Sequence, residues 1–450
     1  MSRVLLISTN TCVSPYSVYP LGMATVAGQL IQAGHTVQQF DWQVAGQSAD
    51  ALLTILRASD PEVVAVSIRN MDQVDSLAQF EETWELDDAR TVIAEVREHT
   101  DVPVVIGGPA VSVMAEPIRD YVGADVAVIG EGEQALLAVV TAATAGQSLP
   151  PLWPVAKTML CGAEQAAPAY EAELVTFYRE AGGLIGVQTK RGCPYHCCYC
   201  TYPVLEGSQY RAREAEAVVA DMERLWQDHG VDTVFFTDSV FNDVQGHYLR
   251  VAEALAKRAL PVRWGAYLSP RGLSAEGVDL CRRGGLFAAE LGTDATSDTT
   301  LKGMGKPFRW DEVHRCHDLL VQARVACGHF VIFGGPGETV DTLQEGLDNI
   351  AALTSGVVFG FSGIRVYPGT PLQKQAIAEG VIAATDDLFK PVYYTAPDLD
   401  KEWMDRTVTD AWAGRMDRVF PPQDGQRIVA MLRAQGMKGL LWDRLIAFDA

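Results

Sequence analysis

The 450-residue chain has no stretch approaching the roughly 18 to 20 consecutive apolar residues that a membrane span needs. Its start, MSRVLLISTN, lacks the basic head, long apolar run and small-residue cleavage site of a secretory leader. Both absences predict a cytoplasmic protein with no membrane span. Basic charge is scarce: 36 Lys and Arg stand against 57 Asp and Glu, a net charge of −21. Phosphate binding demands clustered cations, so a broad nucleic-acid surface is excluded. The acidic surplus serves solubility and is compatible with a cationic substrate. Also missing is the spread of cysteines that makes a disulfide framework, since four of the nine crowd into the eight positions from Cys193 to Cys200. At 48% hydrophobic and 21% charged residues the chain is globular and long enough for two or three domains.

What is present centres on Lys190 to Gly207, KRGCPYHCCYCTYPVLEG. Cys193, Cys197 and Cys200 stand as C-x3-C-x2-C, close enough for one loop to bring three thiolates onto one metal cluster. A zinc site prefers four protein ligands in two separated pairs. Three thiolates on a [4Fe-4S] cube leave one iron open to a reactant. Cys198 is the spare thiol, because choosing it breaks the spacing.

From Arg3 to about Gly146, short apolar β runs alternate with helical segments: RVLLIST, TVQQFDW, EVVAVSI, PVVIGG and ADVAVIG. Five such strands separated by helices predict a doubly wound parallel sheet with its ligand crevice beyond the strand carboxyl ends. The loops there are 9–20, 67–72, 107–112 and 130–133. Residues 147–183 are proline-bearing and aperiodic, which reads as a linker. From Leu184 the alternation resumes as six strand-helix units, with catalytic groups expected at strand carboxyl ends. The region 373–450 reads as an α-rich appendage, with helices near Trp403 to Val419 and Gln426 to Gln435.

C-x3-C-x2-C with an aromatic, Tyr199, before the last cysteine resembles the signature of the radical S-adenosylmethionine (SAM) superfamily. The first domain, with YPLG opening a helix, GG after the fourth strand and GEGE after the fifth, resembles the cobalamin-binding domain that precedes the barrel in one branch. The resemblance implies an α/β chain: a doubly wound, cobalamin-binding-like Rossmann domain (1–146), a linker (147–183), a partial (β/α)6 barrel with the [4Fe-4S] cluster (184–372) and an α-rich, substrate-capping extension (373–450). It implies Cys193, Cys197 and Cys200 as cluster ligands. For SAM it implies Tyr199, Asp238, Glu290, Asp294, Lys306, Gly334, Gly335, Glu338, Arg365 and Tyr367. The TDSVFN segment stands where the family often has GGE, and Asp294 stands where it has Glu. The D-x-H-x-x-G signature that puts a histidine on cobalt is missing, so cobalamin is allowed but not required.

The run QTKRGCP-x-x-C-x-YCTYP-x-LEG, the domain order and that missing motif look similar to the radical SAM 1,2-diol dehydratase of apramycin-type aminoglycoside biosynthesis. This implies hydrogen abstraction from an amino sugar of the paromamine type and loss of water without cobalamin. Asp238, Asp243 and Glu206 would be the acid-base and ammonium-binding groups. Flavodoxin or a similar protein would supply electrons, and an NADPH-dependent reductase could take the product onward. The alternative is a cobalamin-dependent radical SAM C-methyltransferase acting on a lipid or secondary metabolite. A non-catalytic Fe-S or cobalamin-binding regulator would leave the ordered SAM-like motifs on the later strands unexplained.

Overall fold

The computed structural model describes residues 1–13, 15–72, 76–77, 84–154 and 159–446. Two compact units divide them: one holds most of residues 1–181 together with 202–213, the other residues 182–201 and 214–446.

In the first unit, β1 (Arg3–Ser8), β2 (Thr36–Asp41), β3 (Val63–Ser67), β4 (Val104–Gly107), β5 (Val126–Val128) and β6 (Leu152–Trp153) form one sheet in the order β2-β1-β3-β4-β5-β6. All pairings are parallel. Val63, Val64, Val104 and Ile106 are fully buried because helices cover both faces, as unbroken apolar runs require. The sixth strand comes from the stretch read as a linker. Flanked by Pro151 and Pro154, Leu152 and Trp153 pair along one side only, the position in a sheet where proline is tolerated. The same stretch supplies the helix Ala172–Ala181, whose Tyr178 donates to the buried Asp41 at 3.0 Å. Ala169 N donates to Ala24 O at 2.9 Å, and a Cβ on Gly28 would lie 2.1 Å from Ala167 O. Residues 159–181 are thus folded onto the first unit; 155–158 lie outside the described residues.

In the second unit, β7 (Ile185–Val187), β8 (Thr233–Phe236), β9 (Arg263–Leu268), β10 (Leu286–Asp294), β11 (Ala326–Phe333) and β12 (Val357–Ser362) form the expected parallel series. A seventh strand, β13 (Arg418–Val419), adds beside β12. It arises in the C-terminal region read as α-rich. The helix Lys401–Trp412 stops before Gly414 (φ +77), and Arg418, buried, donates to Gly356 O at 3.0 Å and Ile350 O at 3.1 Å. Ser274, Ser297 and Thr339 each start a helix by accepting the N–H of the residue three further on.

The two faces of this sheet differ. His329, Phe333 and Gly360 face the helices, with Phe333 against Trp412 and Phe420. The other face carries Glu290, Gly328, Phe330, Phe359 and Phe361, following strand alternation and register. There the C-terminal turn Trp442–Leu445 forms a floor. The Trp442 ring lies 3.2 Å from where a Gly328 Cβ would be, and its Nε1 donates to Glu290 Oε1 at 2.9 Å.

No helix among the described residues is long and apolar enough to cross a membrane.

Candidate active site

The cysteine loop leaves β7 and is held from both sides. Cys193 is buried, Cys197 and Cys200 are half-buried, and all are free thiols. Cys198 N donates to Met304 O, and Leu372 N donates to Cys198 O, each at 2.9 Å. The backbone passes so close that a Cβ on Gly305 (φ +71) would lie 2.7 Å from His196 O; only glycine serves there. Burial pushes the Cys198 thiol up to about 12 and keeps it protonated. Burial raises Cys197 too, but Lys306 opposes it, and Cys193 is among its charged neighbours. Lys306 senses both Cys197 and Cys200. Cys193, Cys197 and Cys200 are thus carried on one loop, with Lys306 beside Cys197, and three thiols on one loop are a donor set that fits an iron-sulfur cluster with three protein thiolates. His196 is exposed.

Tyr199, Asp294 and Lys306 come together, as one SAM site would require. Tyr199 Oη donates to Asp294 Oδ2, Lys306 pairs with the same carboxylate, and Lys306 Nζ lies 3.2 Å from Tyr199 Oη. Against the pull of burial, Asp294 raises the Lys306 ammonium above its ordinary value. Asp294 sits at φ +57, a strained conformation for a residue other than glycine at the carboxyl end of β10.

Several other expected site residues have internal partners. Glu338 accepts from Gly334 N and from Gly335 N at 3.2 Å, and burial pushes its carboxyl up to about 7. Its turn braces the cysteine loop's support, since a Cβ on Gly335 would lie 2.3 Å from Met304 Cε and one on Gly303 2.0 Å from Pro336 O. Glu290 is fully buried against Trp442, and burial pushes it to about 7 as well. Arg365 lies 4.9 Å from the Tyr367 ring and donates to Val366 O at 2.7 Å and Leu388 O at 2.8 Å.

Asp238, Asp243 and Glu206 do not form a set. Asp238, 0% exposed, accepts from Thr189 N at 2.7 Å, Thr189 Oγ1, and Lys190 N and Nζ at 3.3 and 3.2 Å. Asp243 accepts from Gln245 N, His247 N and Tyr248 N at 3.0 to 3.2 Å. Glu206 belongs to the other compact unit, where its carbonyl accepts from Arg211. Neither buried aspartate is available to a sugar's ammonium or hydroxyl groups. Lys190, which occupies both, is legible in the sequence only as a lysine ending an apolar strand.

In the first unit, the strand order places the switch of direction between β1 and β3, and the loops there are shaped by glycine. A Cβ on Gly108 (φ +112) would lie 2.5 Å from Ile68 O. Ser112 Oγ donates to Gly108 O at 3.0 Å and accepts from Gly130 N at 2.9 Å, tying the GGPAVS turn to GEGE. Past the end of β1, Asn10 is 7% exposed, yet both its amide atoms lack a partner among the described residues. Sequence reasoning missed it, and its only signal is an amide directly after a buried strand. A buried orphan amide beside glycine-shaped loops fits a corrin, whose rim carries amide side chains. Burial pushes Glu85 up to about 7, against the opposing pull of Arg69. The unit's histidines, His35 and His99, lie before β2 and at a helix end, away from this crevice.

His317, Cys327 and His329 also cluster, all buried. Thr354 O can only accept, so His317 Nε2 donates to it at 2.7 Å. His317 Nδ1 then accepts from His329 Nε2 at 3.0 Å, and His329 Nδ1 accepts from Thr293 Oγ1 at 2.9 Å. Burial keeps both rings neutral, so every ring nitrogen is satisfied without a metal.

Residues 7–140 match the B12 binding domain family and residues 187–350 the radical SAM superfamily. The chain therefore joins a B12-binding domain to a radical SAM domain and is a radical SAM enzyme. It is 27% identical to a tryptophan 2-C-methyltransferase of Streptomyces laurentii, over 82% of this chain and 74% of that protein. Its fold is that of the radical SAM methyltransferase TsrM of Kitasatospora setae, solved with cobalamin and a [4Fe-4S] cluster bound (TM-score 0.83, 23% identity, 99% of this chain and 97% of that one). It is also that of the cobalamin-dependent SAM radical enzyme OxsB (TM-score 0.74, 16% identity, 97% and 71%).

These likenesses overturn the expectation of a cobalamin-independent diol dehydratase of amino sugars. The two relatives that align over more than four-fifths of this chain at 27% and 22% identity are called methyltransferases, the fold is shared with cobalamin-bound proteins, and Asp238 and Asp243 are sealed from any substrate.

Proposed function

We propose that the chain is a cobalamin-dependent radical SAM methyltransferase that methylates carbon on an apolar, ring-bearing small molecule. The observation that carries this reading is the pairing of a B12-binding domain with a radical SAM domain along a chain that aligns over 82% of its length with a C-methyltransferase. When bound, the cluster and the corrin would supply electron transfer and methyl transfer.

The protein's own contribution is to hold and orient. Cys193, Cys197 and Cys200 would ligate the cluster, with its fourth iron left to an exogenous ligand. Tyr199, Asp294 and Lys306 would bind the nucleoside and amino-acid portions of SAM, Asp294 exchanging Lys306 and Tyr199 for hydroxyl groups. Asn10, Gly107, Gly108 and Ser112 would seat the corrin, and no histidine from that crevice would ligate cobalt. Phe330, Phe359 and Phe361, half-buried and stacked at 5.2 and 6.3 Å, with Tyr267 38% exposed, line an aromatic face above the Trp442 floor. Such a face excludes water and suits a flat apolar acceptor rather than a polycationic sugar. A flavodoxin-like protein would serve as reductant.

The test is anaerobic reconstitution with iron, sulfide and hydroxocobalamin, then incubation with methyl-deuterated SAM and a panel of aromatic metabolites. Stoichiometric corrinoid, S-adenosylhomocysteine and a labelled C-methyl product are expected. A chain that takes up no corrinoid and yields only 5'-deoxyadenosine overturns the reading.

A further inference from the structure

Lys190 lies three residues before Cys193 and is 1% exposed. Its ammonium is 2.6 Å from Phe241 O, 3.2 Å from Asp238 Oδ2 and 3.5 Å from Asp243 Oδ2, and sits over the Phe241 ring at 5.2 Å. The contacts extend along the chain towards the first cysteine. Asp238 takes the N–H groups of Thr189 and Lys190, and Ser239 Oγ donates to Gly192 O at 3.1 Å. Asn242 anchors this segment to the end of β9, donating to Ser269 O at 2.8 Å and accepting from Ser269 N at 2.7 Å.

Taking three charges out of water is costly, and apolar residues of similar volume often give equal stability. Stability is therefore a weak reason for such a knot. Its place directly before the cysteine loop supplies a better one. Within the knot the one Lys190 cation faces two carboxylates, so these three side chains together are weighted to negative charge, buried where solvent ions screen little.

We propose that Lys190, Asp238 and Asp243 are positioning residues that fix the first half of the cysteine loop and, through their net negative charge, set how readily the cluster accepts an electron. This rests on the reading of Cys193, Cys197 and Cys200 as cluster ligands. A buried negative charge disfavours the added electron, so the knot holds the cluster at a lower reduction potential than its thiolates alone would give. Removing one carboxylate charge while keeping its shape should raise the potential. Removing the cation should lower it or loosen the loop.

The test is a redox titration of the reconstituted holoprotein, followed by low-temperature electron paramagnetic resonance, for the parent, Asp243→Asn, Asp238→Asn and Lys190→Met. Iron and sulfide are measured in each. With iron content retained in Asp243→Asn, a several-fold rise in the ratio of reduced to oxidised cluster at fixed poise is expected, and Lys190→Met should move it the other way. Asp238→Asn should shift in the same sense as Asp243→Asn and also broaden the signal, because Asp238 holds the loop backbone directly. Variants that retain iron with an unchanged midpoint overturn the proposal. So do variants whose only change is a fall in iron content, the mark of a merely structural knot. A parent protein without a cluster instead overturns the ligand reading beneath it.

Discussion

Both units end their parallel strands in loops that gather polar groups, but they treat those groups in opposite ways. In the first unit, glycines clear space and the Asn10 amide has no partner among the described residues. In the second, nearly every charged group past a strand end is already engaged: Asp238 and Asp243 by Lys190 and backbone, Glu338 by its own turn, Asp294 by Lys306 and Tyr199. The first arrangement would suit a large guest with a neutral rim. The second is that of a clamp, in which polar groups are spent on holding the loop that carries the three thiols. A carboxylate at a strand end is thus no sign of acid-base chemistry until its partners are known.

The largest expected effect falls on the clamp's purpose. Cys197→Ser should lose bound iron and reduce SAM cleavage to background, read by iron analysis and product chromatography, while Cys198→Ser keeps its cluster. Next comes the receptor's shape. Gly108→Val forces a side chain to φ +112 and into Ile68 O, which should destabilise the first unit by about 2–4 kcal/mol in thermal melts and abolish corrinoid retention.

Glu290 gives a pH signature. Its folded pKa, about 7, lies above the unfolded value of about 4.3, so the folded state holds the extra proton. Stability is fully present below the unfolded pKa and declines as pH rises through about 7. Glu290→Gln should flatten that decline by at most about 1.4 kcal/mol per pH unit, measured by denaturant unfolding across this range. The smallest effect sharpens the comparison most. Asn10→Leu should weaken corrinoid binding about tenfold while leaving the melting temperature unchanged or higher, since it removes a buried amide that has no partner among the described residues. A large loss of stability instead would mean the amide has a structural partner.

Much of the fold was legible because buried parallel strands read as unbroken apolar runs such as VVAVS and VVIG. In the two large sheets, the strands that escaped notice are each two residues long, Leu152–Trp153 between prolines and Arg418–Val419 after a helix. Neither is long enough to show a period, and both are specified by the sheet they join. At the site, local spacing revealed the three cysteines. It could not reveal that Asp238 faces Lys190 or that Glu290 faces Trp442, 152 residues away, because partners across a fold leave no trace in local pattern. The dehydratase reading failed there: it treated carboxylates as free because their partners were out of sight.

The two backbone bonds at Cys198, to Met304 and Leu372, involve no sulfur. The middle of the cysteine loop is therefore tied to the barrel by contacts that do not depend on a metal, whereas a zinc finger takes shape only around its ion. A chelator should accordingly be able to remove the iron and leave the surrounding barrel folded, ready to be refilled.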